Sequence, residues 1–184
     1  EKDVLDAHPS LWVTYSSTLC MASKFDAVED KLSSADAALK GRERDDFVRN
    51  LIGHIASNRA CLAVTQRKTQ IVLSQSKIAL EHLHPDNIAV RTSNNWILGM
   101  ANHEQGNLDA ARSTLEETIS LCNSTGNFVV GISAAAVLGV VYEQQNELHL
   151  AATTYQNCIK DQGNMPFATS AYFCIRICMI RKFS

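Results

Sequence analysis

The chain has 184 residues, of which 46% are hydrophobic and 20% charged, with 17 basic and 19 acidic side chains. This composition is ordinary for a soluble globular chain, and the near-balanced charge gives no electrostatic footprint for nucleic acid. Only 3 Pro and 8 Gly are present, which excludes collagen-like and Pro-rich classes and argues against a small β fold. No apolar run approaches the ~18 residues that a membrane span requires.

Helical periodicity dominates the chain, and strand-like alternation is not sustained anywhere. Turn-forming residues recur at near-even intervals and divide the apolar pattern into paired helices. We therefore predict one repeat domain over residues 1–184. Its units are helical hairpins over residues 9–40, 47–83, 88–122 and 128–161, followed by a truncated fifth repeat over 166–184.

Two of these hairpins align without a gap at an offset of 40 residues. The matched pairs are Leu98-Gly99 with Leu138-Gly139, Ala111 with Ala151, Leu115 with Tyr155, and Ile119 with Ile159. Ser16 and Ala60 take the place of the glycine in the two earlier units, so the intervals between the small residues 16, 60, 99 and 139 are 44, 39 and 40.

A small residue in each first helix, facing an alanine in each second helix, lets the two helices approach closely. One hairpin cannot bury its apolar face alone, so neighbouring hairpins stack. The expected fold is all-α, an α-solenoid of antiparallel hairpins with a right-handed superhelix. Its concave inner face is lined mainly by first helices.

The pattern Leu98-Gly99…Ala111-x-x-x-Leu115 and its copy at 138–155 resembles the tetratricopeptide rule, with a longer period of about 40 residues. The run LGMANHEQGNLDAARSTLEETISLC at 98–122 resembles the superhelical sensor domain of MalT-like transcription activators. The opening segment at 6–32 and the tail at 164–178 resemble the same domain. Repeats one and two depart from the pattern, with Ser16 and Ala60 for glycine and Arg67-Lys68 at the turn.

This resemblance implies a place within large ATP-binding regulators that carry a nucleotide-binding switch and a LuxR-type DNA-binding domain. It also implies a small inducer, a sugar in the maltose case, and repressing partner proteins. The chain starts and stops inside its own helical pattern, so we interpret it as part of a longer polypeptide. The flanking domains would then lie outside it, and this segment itself would bind no nucleic acid and no membrane.

The six cysteines lie inside apolar helical patterns and form no Cys-x-x-Cys pair. Such cysteines behave as small hydrophobic residues, which favours free thiols in a reducing compartment over three disulfides. With no signal peptide visible, a cytoplasmic location is expected.

Phosphate-binding, nucleophile-elbow and zinc-protease motifs are missing, so we expect no enzyme activity, no cofactor and no metal. His82-x-His84 has only Asp86 nearby as a further metal ligand, so a solvated loop is the favoured interpretation. Arg112 and Glu116, four residues apart on a second helix, are expected to pair.

The best candidates for ligand contacts lie on first helices, where they would line a polar, mildly acidic groove. They are His54, Ser57, Trp96, Met100, His103, Glu104, Ser133, Glu143 and Gln144. For Trp96 two alternatives stay open, a place in the core and a place as an aromatic plate in the groove.

The predicted function is an effector-sensing and protein-interaction domain of a MalT-like regulator, in which ligand in the groove biases the parent's switch. Expected partners are a small-molecule effector or peptide, other domains of the parent, and a second copy through end-to-end association. The alternative is a general tetratricopeptide scaffold that binds a protein or peptide and has no small effector.

Overall fold

A computed structural model describes residues 2–43 and 45–162 of the chain, and the predicted fifth repeat at 166–184 lies outside them. The described residues form nine α-helices and no strand, which confirms the all-α class of stacked hairpins. The helices are α1 (Lys2–Ala7), α2 (Pro9–Met21), α3 (Val28–Leu39), α4 (Asp46–Thr65), α5 (Thr69–His82), α6 (Ile88–Glu104), α7 (Leu108–Thr125), α8 (Phe128–Gln144) and α9 (Leu148–Gln162).

Four hairpin turns share one backbone design. In each, an N–H group after the turn donates to the carbonyl five residues earlier, at 2.8–3.0 Å: Lys24 to Leu19, Lys68 to Ala63, Asn107 to Asn102, and Glu147 to Tyr142. The residue before each donor has positive φ, namely Ser23, Arg67, Gly106 and Asn146. This is the Schellman ending of a helix. Its intervals are again 44, 39 and 40 residues, so the structural repeat follows the sequence repeat even where glycine is missing.

The chain divides after Ala101 into two compact units. In the first unit, α2 packs on α3 and α4 packs on α5, and the second hairpin stacks on the first because α4 also contacts α2 and α3. Leu32 and Val28 of α3 are fully buried among side chains of α2 and α4. The first part of α6 completes this unit, where Ile97 and Ala101 pack on Ala60, Ala63 and Val72.

In the second unit, α8 packs on both α7 and α9. Small residues make these approaches possible: a Cβ on Gly131 would meet Cys122 Cβ at 3.0 Å, and one on Gly139 would fall on the ring of Tyr155. Ala111 and Ala151, the alanines expected at the second-helix contacts, are both buried. Gly139 therefore acts by letting the Tyr155 ring cross the backbone of α8.

Candidate functional site

The second unit contains a cavity of about 390 Å³ between α7, α8 and α9, which we call the α7–α9 cavity. One wall comes from the second helix of one repeat, and the other two come from the next hairpin. Its lining residues are Glu116, Ile119, Asn123, Phe128, Gly131, Ile132, Ala135, Leu138, Thr154 and Asn157. This volume lies within the range that small-molecule sites occupy.

The α7–α9 cavity has an apolar floor and a polar rim. Ile132, Ala135 and Leu138 of α8 are buried and form the floor. Asn123 of α7 and Asn157 of α9 are exposed and lie at the rim, where their amides offer both donors and acceptors. The arrangement suits a ligand with one apolar face and several hydrogen-bonding groups.

Glu116 contributes a carboxylate to the cavity lining, and neighbouring side chains of the protein partly neutralise its negative charge. Its Oε1 accepts hydrogen bonds from Tyr142 Oη at 2.6 Å and from Arg112 Nε at 3.0 Å. Arg112 also reaches Glu147 at 2.9 Å, and its guanidinium lies 5.1 Å from the centre of the Tyr142 ring. The predicted pairing of Arg112 with Glu116 is confirmed.

This cluster raises the pKa of Tyr142 to about 12, chiefly through burial of the phenol and then through its hydrogen bond to Glu116. The phenol therefore stays protonated at neutral pH and keeps donating to the carboxylate. Because the donor comes from α8 and the acceptor from α7, the hydrogen bond ties consecutive repeats together beside the cavity.

None of the residues predicted from the sequence lines the α7–α9 cavity. In the second unit, His103 is half-buried, Glu104 and Gln144 are exposed, and Ser133 donates to the carbonyl of Val129 within its own helix at 2.8 Å. Glu143 accepts a hydrogen bond from Tyr155 Oη at 3.0 Å, which holds the ring that crosses Gly139.

In the first unit, the structure places His54 and Ser57 on α4. His54 Nε2 lies 3.2 Å from Ser17 Oγ of α2, and Ser57 is buried. Burial lowers the pKa of His54 below its ordinary value. The His54 ring is thus directed to a contact between first helices.

Trp96 and Met100 of α6 are both half-buried. Trp96 packs against the core cluster of Ala60, Val72 and Ile97, and its Nε1 is buried without a hydrogen-bond partner. The structure therefore favours the core alternative for Trp96.

Sequence reasoning missed the cavity because it sought a site on first helices, whereas two of the three walls are second helices. The available signal was the pair Asn123 and Asn157, polar residues near the ends of successive second helices. Among the residues that the structure describes, no three His, Cys, Asp or Glu side chains come together as a metal site. Within the same residues, no helix has the length and apolar character needed to cross a membrane.

The repeated hairpins and their shared turns define a tetratricopeptide-type helical-repeat protein, a class that mediates protein interactions. The chain belongs to the family described as the MalT-like TPR region, whose model matches residues 53–176. The matched stretch contains every residue that lines the α7–α9 cavity, and it begins after the first hairpin. No curated protein and no solved structure matched the chain.

Proposed function

We propose that this chain is the effector-sensing and protein-interaction region of a MalT-like transcription regulator, with the effector bound in the α7–α9 cavity. The observation that carries the proposal is the cavity itself, a ligand-sized space with an apolar floor and polar rim inside the stretch that matches the family. In this proposal the region itself catalyses no reaction. Any reaction that drives the switch belongs to other domains of the parent regulator.

The cavity walls explain how a small ligand would act. Because α7 and α8 belong to consecutive repeats, a ligand between them stabilises one angle of stacking over others. A ligand shifts a conformational equilibrium only by its difference in affinity between states. The bridge from Tyr142 to Glu116 crosses the same pair of helices, so ligand and bridge would favour the same arrangement.

The lining chemistry narrows the ligand class. The amides of Asn123 and Asn157 and the hydroxyl of Thr154 suit hydroxyl groups, while the Ile132 side chain suits an apolar face. We therefore expect a small amphiphilic metabolite with several hydroxyl or amine groups. A highly charged anion is disfavoured because the only ionised group among the lining residues is Glu116.

A thermal-shift screen of the full chain against such metabolites tests the proposal. An effector at ~100 times its Kd adds about 2.7 kcal/mol to the free energy of unfolding. Ala135→Leu fills the cavity floor and Thr154→Val removes a rim hydroxyl at nearly constant shape, so both should weaken binding. Far-UV circular dichroism and urea unfolding verify that each variant is folded.

The first-helix groove provides the matched control. Ser133→Ala and Gln144→Ala alter predicted groove residues that lie outside the cavity lining. Loss of binding in the cavity variants alone supports the cavity. Loss in the groove variants alone would move the effector site to the concave face, and no response to any metabolite would favour the general scaffold.

The scaffold alternative has one observation in its favour: apolar side chains are exposed at the first residue of α8 and at the first residue of α9. Phe128 and Leu148 are 46% and 61% exposed. Fluorescence anisotropy with labelled peptides tests it. We expect weak affinity for acidic C-terminal peptides, because the predicted groove residues include no Lys or Arg, and micromolar binding would contradict that expectation. The coding sequence on either side of this segment would show whether a nucleotide-binding domain and a DNA-binding domain flank it, which tests whether the segment belongs to such a regulator.

A further inference from the structure

The first two hairpins meet along a polar seam between α2 and α4. Asn58 Nδ2 donates to Ser16 Oγ at 2.8 Å and to Ser17 Oγ at 2.9 Å, and His54 Nε2 lies 3.2 Å from Ser17 Oγ. The chain reverses direction once between α2 and α3 and again between α3 and α4, so α2 and α4 run in the same direction.

Cys20 and Cys61 continue the seam by one helical turn. Cys20 follows Ser17 by three residues and Cys61 follows Asn58 by three, which places both on the contacting faces. In this register the Cys20 and Cys61 thiols face each other across the seam and perturb each other's ionisation. Both side chains are free thiols and partly exposed, whereas Cys122 is 1% exposed.

We propose that Cys20 and Cys61 form a reversible modification site, at which a peroxide oxidises the two thiols to a disulfide that covalently joins the first hairpin to the second. The bond would cross the α2–α4 seam and leave the α7–α9 cavity in the other unit untouched. The proposal is therefore independent of the effector site.

The reaction balances with the peroxide as the only oxidant. The Cys61 thiolate attacks a peroxide oxygen, the O–O bond breaks, and after protonation Cys61 carries a sulfenic acid while water leaves. The Cys20 sulfur then attacks the Cys61 sulfur, the S–O bond breaks, and hydroxide leaves with the Cys20 proton as a second water. Two thiols and one hydrogen peroxide give one disulfide and two waters, and a dithiol reductant reverses the oxidation by exchange.

The interaction between the two thiols assigns them different roles. It lowers the pKa of Cys61 to about 7 and, together with burial, raises the pKa of Cys20. Since the thiolate is the nucleophile, Cys61 reacts first and Cys20 resolves the sulfenic acid. The register set by the Ser17–Asn58 hydrogen bond places the two cysteines side by side on neighbouring helices, as the partners of a disulfide must be.

Peptide mapping after peroxide treatment of the full chain tests the proposal. Trypsin separates Cys20, in a peptide of residues 3–24, from Cys61, in a peptide of residues 60–67. The expected result is a linked 3–24/60–67 species that forms before Cys122 is oxidised and disappears with dithiothreitol. The thermal unfolding midpoint should rise by roughly 5–10 °C on oxidation, because the cross-link closes a long loop in the unfolded chain.

Single variants distinguish the roles of the two thiols. In Cys20→Ser, Cys61 should accumulate as a sulfenic acid that dimedone traps, and in Cys61→Ser, Cys20 should stay reduced at the same peroxide dose. Cys122→Ser should leave the linked species unchanged. Oxidation of Cys20 and Cys61 no faster than Cys122, or linkage of either to another cysteine in place of the 3–24/60–67 species, would overturn the proposal.

Discussion

Replacing Gly53 with alanine tests how closely α4 approaches the end of α5. A Cβ at this position would lie 2.6 Å from the Leu83 backbone nitrogen and 3.0 Å from the Ala79 carbonyl oxygen. These two atoms are themselves hydrogen-bonded at 2.8 Å, where they close the last turn of α5. The added methyl group must therefore displace backbone, and no side-chain rotation relieves the contact.

The expected change in the free energy of unfolding of Gly53→Ala is the sum of two opposing effects. Alanine in place of a helical glycine gains about 0.5–1 kcal/mol through the unfolded chain. Overpacking costs about 1–3 kcal/mol, and a backbone neighbour places this site at the upper end. We expect Gly53→Ala to lower the free energy of unfolding by about 1–2 kcal/mol. Urea unfolding followed by far-UV circular dichroism measures it, provided that the slope with denaturant is unchanged.

Gly139→Ala is the matched control, since it brings the same helical gain in α8. Its Cβ would meet the outer atoms of the Tyr155 ring, and that side chain can rotate away at the cost of its hydrogen bond to Glu143. Gly139→Ala should therefore lower the free energy of unfolding by about 1 kcal/mol or less. A Gly53→Ala variant as stable as the original chain, or one less affected than Gly139→Ala, would refute this reasoning.

Three further predictions concern the turns and the titrating groups. Arg67→Gly should raise the free energy of unfolding by about 0.5–1 kcal/mol, because relief of the positive φ outweighs the added freedom of the unfolded chain, and a loss on urea unfolding would contradict this. The folded pKa of Tyr142, about 12, lies above its ordinary value near 10. The contribution of Tyr142 to stability should thus be complete below pH ~10 and lost as the pH rises towards 12, and Tyr142→Phe should remove that pH dependence. Tyrosinate absorbance measures the titration midpoint. A Tyr142 midpoint near the ordinary value of about 10 would contradict the burial and hydrogen bonding of this phenol. Burial lowers the pKa of His54, so the contribution of His54 to stability should be complete above pH ~6.5 and should fall as the solution is acidified through the folded pKa. NMR titration of His54 gives that pKa, and the pH dependence of stability in a His54→Gln variant shows how much of it comes from this residue.

Much of the fold was predictable because the repeat constrains local structure. The period of the small residues located the first helices and their partners, and Ala35, Ala79, Ala111 and Ala151 are all buried. The hairpin turns were also predictable in position. Their conformation did not depend on glycine, because Ser23, Arg67 and Asn146 adopt the positive φ that the Schellman hydrogen bond imposes.

The candidate site was not predictable in the same way. Sequence reasoning placed ligand contacts on first helices, since the inner face of a solenoid is the usual binding surface. The cavity instead depends on the distance between α7, α8 and α9, which is set by Gly131 against Cys122 and by the size of the side chains around them. Residues on three helices come together only when both hairpins have packed.

The thiol pair shows the same division between sequence and tertiary structure. The amino-acid sequence by itself determined the helices, their pairing into hairpins and the family, because these depend on periodicity and on contacts between near neighbours in the chain. Tertiary structure alone decided that Cys20 lies across from Cys61, that His54 faces Ser17 and that Trp96 packs into a core. The physical reason is register: the stacking of one hairpin on the next fixes which turns of separate helices lie opposite each other, and no local pattern encodes that offset.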